Sequence, residues 1–156
     1  MMKRMFACLL GILMLLNTAI CPAMAAEEEI ASTVEYMEDG SYIVITIEEM
    51  DRRGARTSTK VGSKSASYYS ADDVLLWEIS VTGEFQYDGT TSSCTYASGI
   101  TTVYDTARWK ITNESATAGD TTAYYTVTFA RWSLGVVIDR PAYSISISCD
   151  PNGNLY

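Results

Sequence analysis

The sequence predicts an all-β fold, an immunoglobulin-like antiparallel β-sandwich of about seven strands. Three observations support this class. Several segments alternate apolar and polar residues, as in LLWEISVTGEFQYDGTTSSC (75–94), and turns that contain glycine separate them. Beyond residue 25, no stretch has the 3.6-residue period of an amphipathic helix. Many short strands without helices indicate two packed sheets, and we expect this domain to span residues 41–156.

The first 25 residues predict a secretory signal peptide. Lys3 and Arg4 precede an apolar run over 5–16, and a small-residue cleavage pattern ends at Ala25. The alternative, a membrane anchor, is disfavoured because a span needs about 20 apolar residues. We therefore expect a secreted, extracellular protein that is cleaved near Ala25, with no stable membrane insertion of the mature chain.

Residues 26–40 are predicted to form an acidic N-terminal arm, because they show little periodic pattern. The first strand is expected at 41–49, where SYIVITIEE is dense in β-branched residues. Residues 51–65 lack apolar periodicity and hold five basic residues, so we expect a solvated loop with at most a short edge strand. The alternative is a basic binding patch at RRGAR. A short strand is predicted at 66–70.

The longest predicted strand covers residues 74–87, with its core face at Trp77, Ile79, Val81 and Phe85. Gly83 predicts a bulge or bend that lets this strand serve two sheets. The sequence Asp-Gly at 88–89 predicts a two-residue hairpin turn, which returns the chain through 90–96.

Three further strands are expected near 106–112, at 121–132 and at 142–149. In the second, alternate residues share one face: Ala123, Tyr125, Val127 and Phe129. In the last, AYSISISC, the period of two places Cys149 on the core face beside two isoleucines.

Cys94 and Cys149 are the two cysteines that remain once the predicted signal peptide is removed. Because secretory compartments are oxidising, we expect them to form a disulfide. The bridge would enclose about 55 residues and stabilise the fold by up to about 4 kcal/mol. A metal site or a catalytic thiol is the disfavoured alternative, because the chain contains no histidine.

The mature chain resembles a group of short secreted proteins of Gram-positive bacteria that have no assigned activity. The resemblance rests on LLWEISVTGEFQYDGTTSSC, on ARWKITNES and on ISISCDPNGNL, and it covers about two thirds of the chain. None of these motifs is catalytic. The resemblance implies secretion and a β-sandwich, and it implies no activity.

Composition and spacing exclude several chemistries. Without histidine there is no Ser-His-Asp triad and no histidine-bearing zinc site. Glu78 and Glu84 share a strand face, but about 20 Å would separate them, whereas glycosidase carboxylates lie about 5–9.5 Å apart. The segment DPNGN (150–154) resembles the start of a calcium loop but lacks the rest of it, and it suits a simple turn. We expect no catalytic residue, metal or cofactor.

Tyr124 and Trp132 are the candidate ligand-binding residues. They alternate with the core residues of strand 121–132 and lie among threonines, so a solvated face would present two rings to a sugar. The alternative is that Tyr124 covers a sheet edge and that Trp132 begins a loop.

These features predict a secreted, non-enzymatic binding module for an unknown extracellular glycan or protein. All 19 acidic residues and nine of the 11 basic residues follow the signal, so the mature net charge is 9 − 19 = −10. That charge repels nucleic acid and anionic membranes, and we expect neither as a partner. The alternatives are a polysaccharide hydrolase that uses acidic residues and a surface-associated structural protein.

Overall fold

The computed structural model describes residues 27–50 and 58–156, and within these ranges the protein is all-β with no helix. The predicted signal peptide and the RRGAR segment lie outside the described residues. Nine strands follow in chain order: β1 Glu27–Tyr36, β2 Tyr42–Met50, β3 Thr59–Tyr69, β4 Leu75–Tyr87, β5 Ser92–Val103, β6 Trp109–Ala118, β7 Thr122–Ser133, β8 Val136–Asp139 and β9 Ala142–Ser148.

The strands form two antiparallel sheets that enclose one core. Sheet A contains five strands in the sequential order β1-β2-β3-β4-β5. Sheet B contains β6, β7 and β8, and β9 also pairs with β7. β8 pairs with the last residues of β7, whereas β9 pairs with residues 122–128. Sheet B packs over β3, β4 and β5.

Most of the segment predicted as an acidic arm is a strand. β1 pairs with β2 from Glu27 opposite Met50 to Tyr36 opposite Tyr42, so it forms one edge of sheet A. The turn between these strands holds Gly40 at a φ of +83°, in the left-handed region that glycine adopts without strain. An edge strand needs backbone pairing on one side only, and its side chains therefore carry little apolar pattern.

The predicted loop at 51–65 is wrong from Thr59 onward, because β3 is the central strand of sheet A. Its core face carries Gly62, Lys64 and Ala66 before Tyr68, so it lacks the run of large apolar residues by which a strand is recognised in sequence. At Gly62, a Cβ atom would lie 2.3 Å from Leu155 Cδ1 and 3.1 Å from Ile147 Cδ1. The C-terminal leucine therefore fills the space that the glycine leaves. Because this apolar side chain comes from outside β3, the residues of β3 themselves show no apolar alternation.

The long strand β4 is confirmed, but Gly83 is not a bulge. It pairs in register with Gly62 on β3 and with Ala97 on β5, and β4 pairs within sheet A alone among the described strands. A Cβ atom at Gly83 would lie 2.5 Å from the ring of Phe85. The bulge lies on β5, where Thr95 has no partner between two consecutive pairs. The glycine makes room for a core ring.

The predicted alternation of β4, β7 and β9 is confirmed by burial. Trp77, Val81, Val127 and Phe129 are less than 2 % exposed, and Cys149 is 1 % exposed. Five aromatic rings form the centre of the core, with Trp77 between the two sheets; they belong to Tyr68, Trp77, Trp109, Phe129 and Tyr143. The strand predicted at 106–112 begins later, at Trp109.

Replacing Gly99 by alanine is expected to lower the free energy of unfolding by about 1–3 kcal/mol, the usual cost of overpacking a core. A Cβ atom at Gly99 would lie 2.0 Å from Tyr125 Cδ2. That ring cannot withdraw freely, because its hydroxyl lies 2.7 Å from both Thr101 Oγ1 and Glu114 Oε2. Chemical denaturation checks this value, with Ser98→Ala on the opposite face of β5 as the control. Equal stability of the two variants would contradict the packing described here.

Candidate functional site

Tyr124 and Trp132 do not share a binding surface. Eight residues of β7 separate them, which corresponds to about 26 Å along a strand. Tyr124 is 49 % exposed and its ring lies against Gly119, where a Cβ atom would be 2.9 Å away. Trp132 is partly buried at the other end of the strand. The two candidate residues therefore belong to different regions.

Trp132 lines a cleft of about 390 Å³ between turns of sheet A and residues of sheet B. We call it the Trp132 cleft. Its walls come from the β1–β2 and β3–β4 turns of sheet A and from residues around Trp109, Trp132 and Ile138 of sheet B. The volume falls within the range of about 300–1,000 Å³ that small-molecule sites occupy.

Three aromatic side chains line the Trp132 cleft: Tyr68, Trp109 and Trp132. Tyr68 is held at its inner end, because its hydroxyl donates to Ser41 Oγ at 3.1 Å and its ring meets that of Trp109 edge-on at 5.9 Å. Lys110 Nζ lies 4.8 Å from the centroid of the Trp132 ring. This cation–π contact holds the indole in place.

Four charged residues also line the cleft, and two of them are already engaged. Asp39 accepts hydrogen bonds from the side chain and backbone of Ser41, which lower the pKa of its carboxyl group. Arg108 forms an ion pair with Asp105.

The other two charged residues of the cleft, Asp72 and Arg131, form no ion pair with any described residue. Arg131 lies above the Trp109 ring, with Cζ 6.0 Å from its centroid. The cleft thus offers a carboxylate without an ion-pair partner among the described residues, a guanidinium group that packs on an aromatic ring and whose charge helps to lower the pKa of Asp39, and an aromatic wall.

Sequence reasoning found Trp132 but missed the rest of the cleft. Its residues come from three connections and five strands, and the intervals between them carry no spacing that a motif would show. The abundance of aromatic residues was the sequence signal for a binding site, and it led only to the two candidates on β7.

The predicted disulfide is not formed in the structure, where Cys94 and Cys149 are both free thiols. The two residues nevertheless flank one turn: the Cys94 N–H donates to the carbonyl of Asp120 at 2.8 Å, and the Cys149 N–H donates to that of Thr121 at 3.1 Å. Burial raises the pKa of both thiols. The bond itself stays a prediction.

The DPNGN segment is a turn organised by Asp150. Its Oδ1 accepts from the backbone N–H groups of Asn152 and Asn154 at 2.7 and 2.9 Å, and its Oδ2 accepts from Asn154 Nδ2. These bonds lower the pKa of the Asp150 carboxyl group. No cluster of potential metal ligands occurs among residues 27–50 and 58–156.

No protein-family model, curated protein or solved structure matches this chain. No family is shown by these comparisons, and the resemblance to short secreted proteins of Gram-positive bacteria stays a prediction. Within the described part of the chain, no helix has the length and apolar character needed to span a bilayer.

Proposed function

We propose that the mature protein is a secreted, non-enzymatic binding module whose ligand occupies the Trp132 cleft. One observation carries this proposal: a cleft of ligand size combines an aromatic wall with Asp72 and Arg131, which lack ion-pair partners among the described residues. Apolar walls with a few convergent polar groups are typical of small-molecule sites.

The lining favours a sugar as ligand. The apolar face of a sugar ring packs against an indole ring, and its hydroxyl groups bond to carboxylate and guanidinium groups. Ser70 and Ser133 add hydroxyl groups to the same walls. The proposed partner is therefore an extracellular glycan, with a protein side chain of similar chemistry as the alternative.

A polysaccharide hydrolase is the second candidate, because Asp39 and Asp72 line one cleft. A glycosidase needs one carboxylic acid whose pKa is raised so that it can donate a proton. The described carboxyl groups with shifted pKa values are Asp39, Asp88 and Asp150, and all three are shifted downward. Binding without hydrolysis is the better supported function.

The proposal also covers the β-sandwich architecture of the protein and its secretion. Two facing sheets around one aromatic core support an immunoglobulin-like β-sandwich in the broad architectural sense. The sequential order of β1–β5 is a meander, which differs from the Greek-key order of true immunoglobulin domains. Secretion rests on the signal-peptide pattern of residues 1–25.

Trp132→Ala is expected to weaken glycan binding at least tenfold, because the mutation removes one aromatic wall of the cleft. The measurement is a binding screen of the mature chain against neutral polysaccharides, acidic polysaccharides and peptidoglycan, followed by titration of any glycan that binds. Trp132→Phe keeps a ring and removes an indole N–H that has no hydrogen-bond partner among the described residues, so it should bind more tightly than Trp132→Ala.

Tyr124→Ala is the matched control, since it removes an aromatic ring from the same strand outside the cleft. We expect it to leave glycan binding unchanged. Equal losses in Tyr124→Ala and Trp132→Ala would move the site to the outer face of β7. Failure of every glycan to bind would overturn the carbohydrate assignment.

A further inference from the structure

Sheet A is wider than sheet B on the side of β2. Among the described strands, sheet B packs mainly over β3, β4 and β5 and makes at most marginal contact with β1 and β2. The inner face of β2 carries Ile43, Ile45 and Ile47, which are half-buried at the margin of the core. We call the surface formed by these three residues the isoleucine shelf.

The free edge of β9 borders the isoleucine shelf. Ser148 exchanges backbone hydrogen bonds with Tyr156 at 3.0 and 3.1 Å on this edge, whereas the Cys149 N–H donates to the turn before β7 on the other side. Because backbone groups alternate in direction along an antiparallel strand, Ser144 and Ser146 direct theirs to the same edge as Ser148. No described backbone group pairs with them there.

We propose that an extended segment of another protein docks here as an added strand of sheet B. Its backbone would pair with Ser144 and Ser146, and its alternate side chains would cover the isoleucine shelf. A second folded copy does not fit at this edge. β1 and β2 lie beyond β3, the outermost strand of sheet A that β9 contacts, so they would overlap the corresponding sheet of the copy.

Lys64 indicates that the docked segment of the partner protein carries a negative charge. It lies on the inner face of β3, paired with Ile47 on one side and with the buried Val81 on the other. It is half-buried and forms no ion pair with any described residue. A partly desolvated cation without a partner is unfavourable. A carboxylate among the inward-facing apolar residues of the segment would complement it.

Two synthetic peptides test this proposal on the mature chain by fluorescence anisotropy. TVTVTETVT places valines and one glutamate on a single face of a strand, and TVTVTKTVT replaces that glutamate by lysine. We expect the acidic peptide to bind at least tenfold more tightly than the basic one, and Lys64→Glu to reverse this preference. An unchanged preference in Lys64→Glu, or no binding of either peptide, would overturn the proposal.

Ser146→Pro tests the edge itself. The mutation deletes an N–H group that points away from β7, so the unfolding midpoint should stay close to that of the parent chain. Binding of TVTVTETVT should fall at least about fivefold, because a backbone hydrogen bond is lost. Ser146→Ala keeps the N–H and is expected to bind normally. If proline at 146 unfolds the chain, Ser144→Pro provides the same test, and full binding by a folded proline variant would exclude this edge.

Discussion

Trp77→Ala is expected to lower the free energy of unfolding by about 3–5 kcal/mol, which is a large part of the stability of a small domain. Trp77 is fully buried and packs against four other rings, with centroid distances of 5.0 Å to Tyr68, 5.2 Å to Phe129 and 4.6 Å to Tyr143. Removal of the indole leaves a cavity that both sheets line, and rigid neighbours cannot fill it.

Denaturant titration measures this loss, and two variants control it. Leu134→Ala changes a fully exposed side chain at the β7–β8 turn and should shift stability by less than about 0.5 kcal/mol. Trp77→Phe should cost less than Trp77→Ala, because it keeps a ring and removes a buried indole N–H that finds no partner in the part of the chain that the structure describes. A loss below about 1 kcal/mol in Trp77→Ala would contradict the central place of this residue.

Oxidation of the secreted chain is expected to join Cys94 to Cys149 and to raise the free energy of unfolding by up to about 4 kcal/mol. Cys94 lies in β5 of sheet A and Cys149 follows β9 of sheet B, so the bond would link the two sheets. Ser92 Oγ donates to the Cys149 carbonyl at 2.6 Å, which holds the two segments together before oxidation. With oxidised glutathione as the oxidant, the two thiols lose two hydrogen atoms and the glutathione disulfide is reduced.

Intact mass and thiol alkylation measure this reaction, and comparison of oxidised and reduced chains in denaturant gives its free energy. The double variant Cys94→Ala, Cys149→Ala should show no difference between the two conditions. If both thiols of the parent chain remain open to alkylation after oxidation, the disulfide prediction is wrong.

The reduced chain should also respond to alkaline pH. Burial raises the pKa of both thiols in the folded state, so the unfolded chain loses these protons first as the pH rises. Stability of the reduced chain is therefore complete below the ordinary thiol pKa and declines as the pH rises above it. The oxidised chain has no such protons to lose and should not show this decline.

The sequence by itself determined the β class and the positions of β2, β4, β7 and β9. In β4, β7 and β9, large apolar side chains recur at every second residue, and those residues are buried in the structure. This pattern is readable because each strand has one core face and one solvated face, so its own residues record which side is buried.

The sequence did not reveal β1, or β3 as a central strand. Neither strand has an apolar alternation of its own, because residues outside the strand supply the side chains that pack against it. Gly62 leaves a space on β3 that Leu155 fills from the end of the chain, and Gly83 leaves one for the ring of Phe85. A glycine at such a position resembles a turn or bulge until the side chain that occupies its space is known.

The candidate sites depend on tertiary structure in the same way. Trp132 could be selected from its sequence pattern, but Asp72 and Arg131 line the same cleft only because the fold brings the β3–β4 turn close to the end of β7. Likewise, the isoleucines of β2 lie at the margin of the core because sheet B packs mainly over β3, β4 and β5. Local alternation determines which face of a strand is apolar; the number of strands in the opposite sheet decides whether that face is covered, since burial depends on contacts between residues distant in the chain.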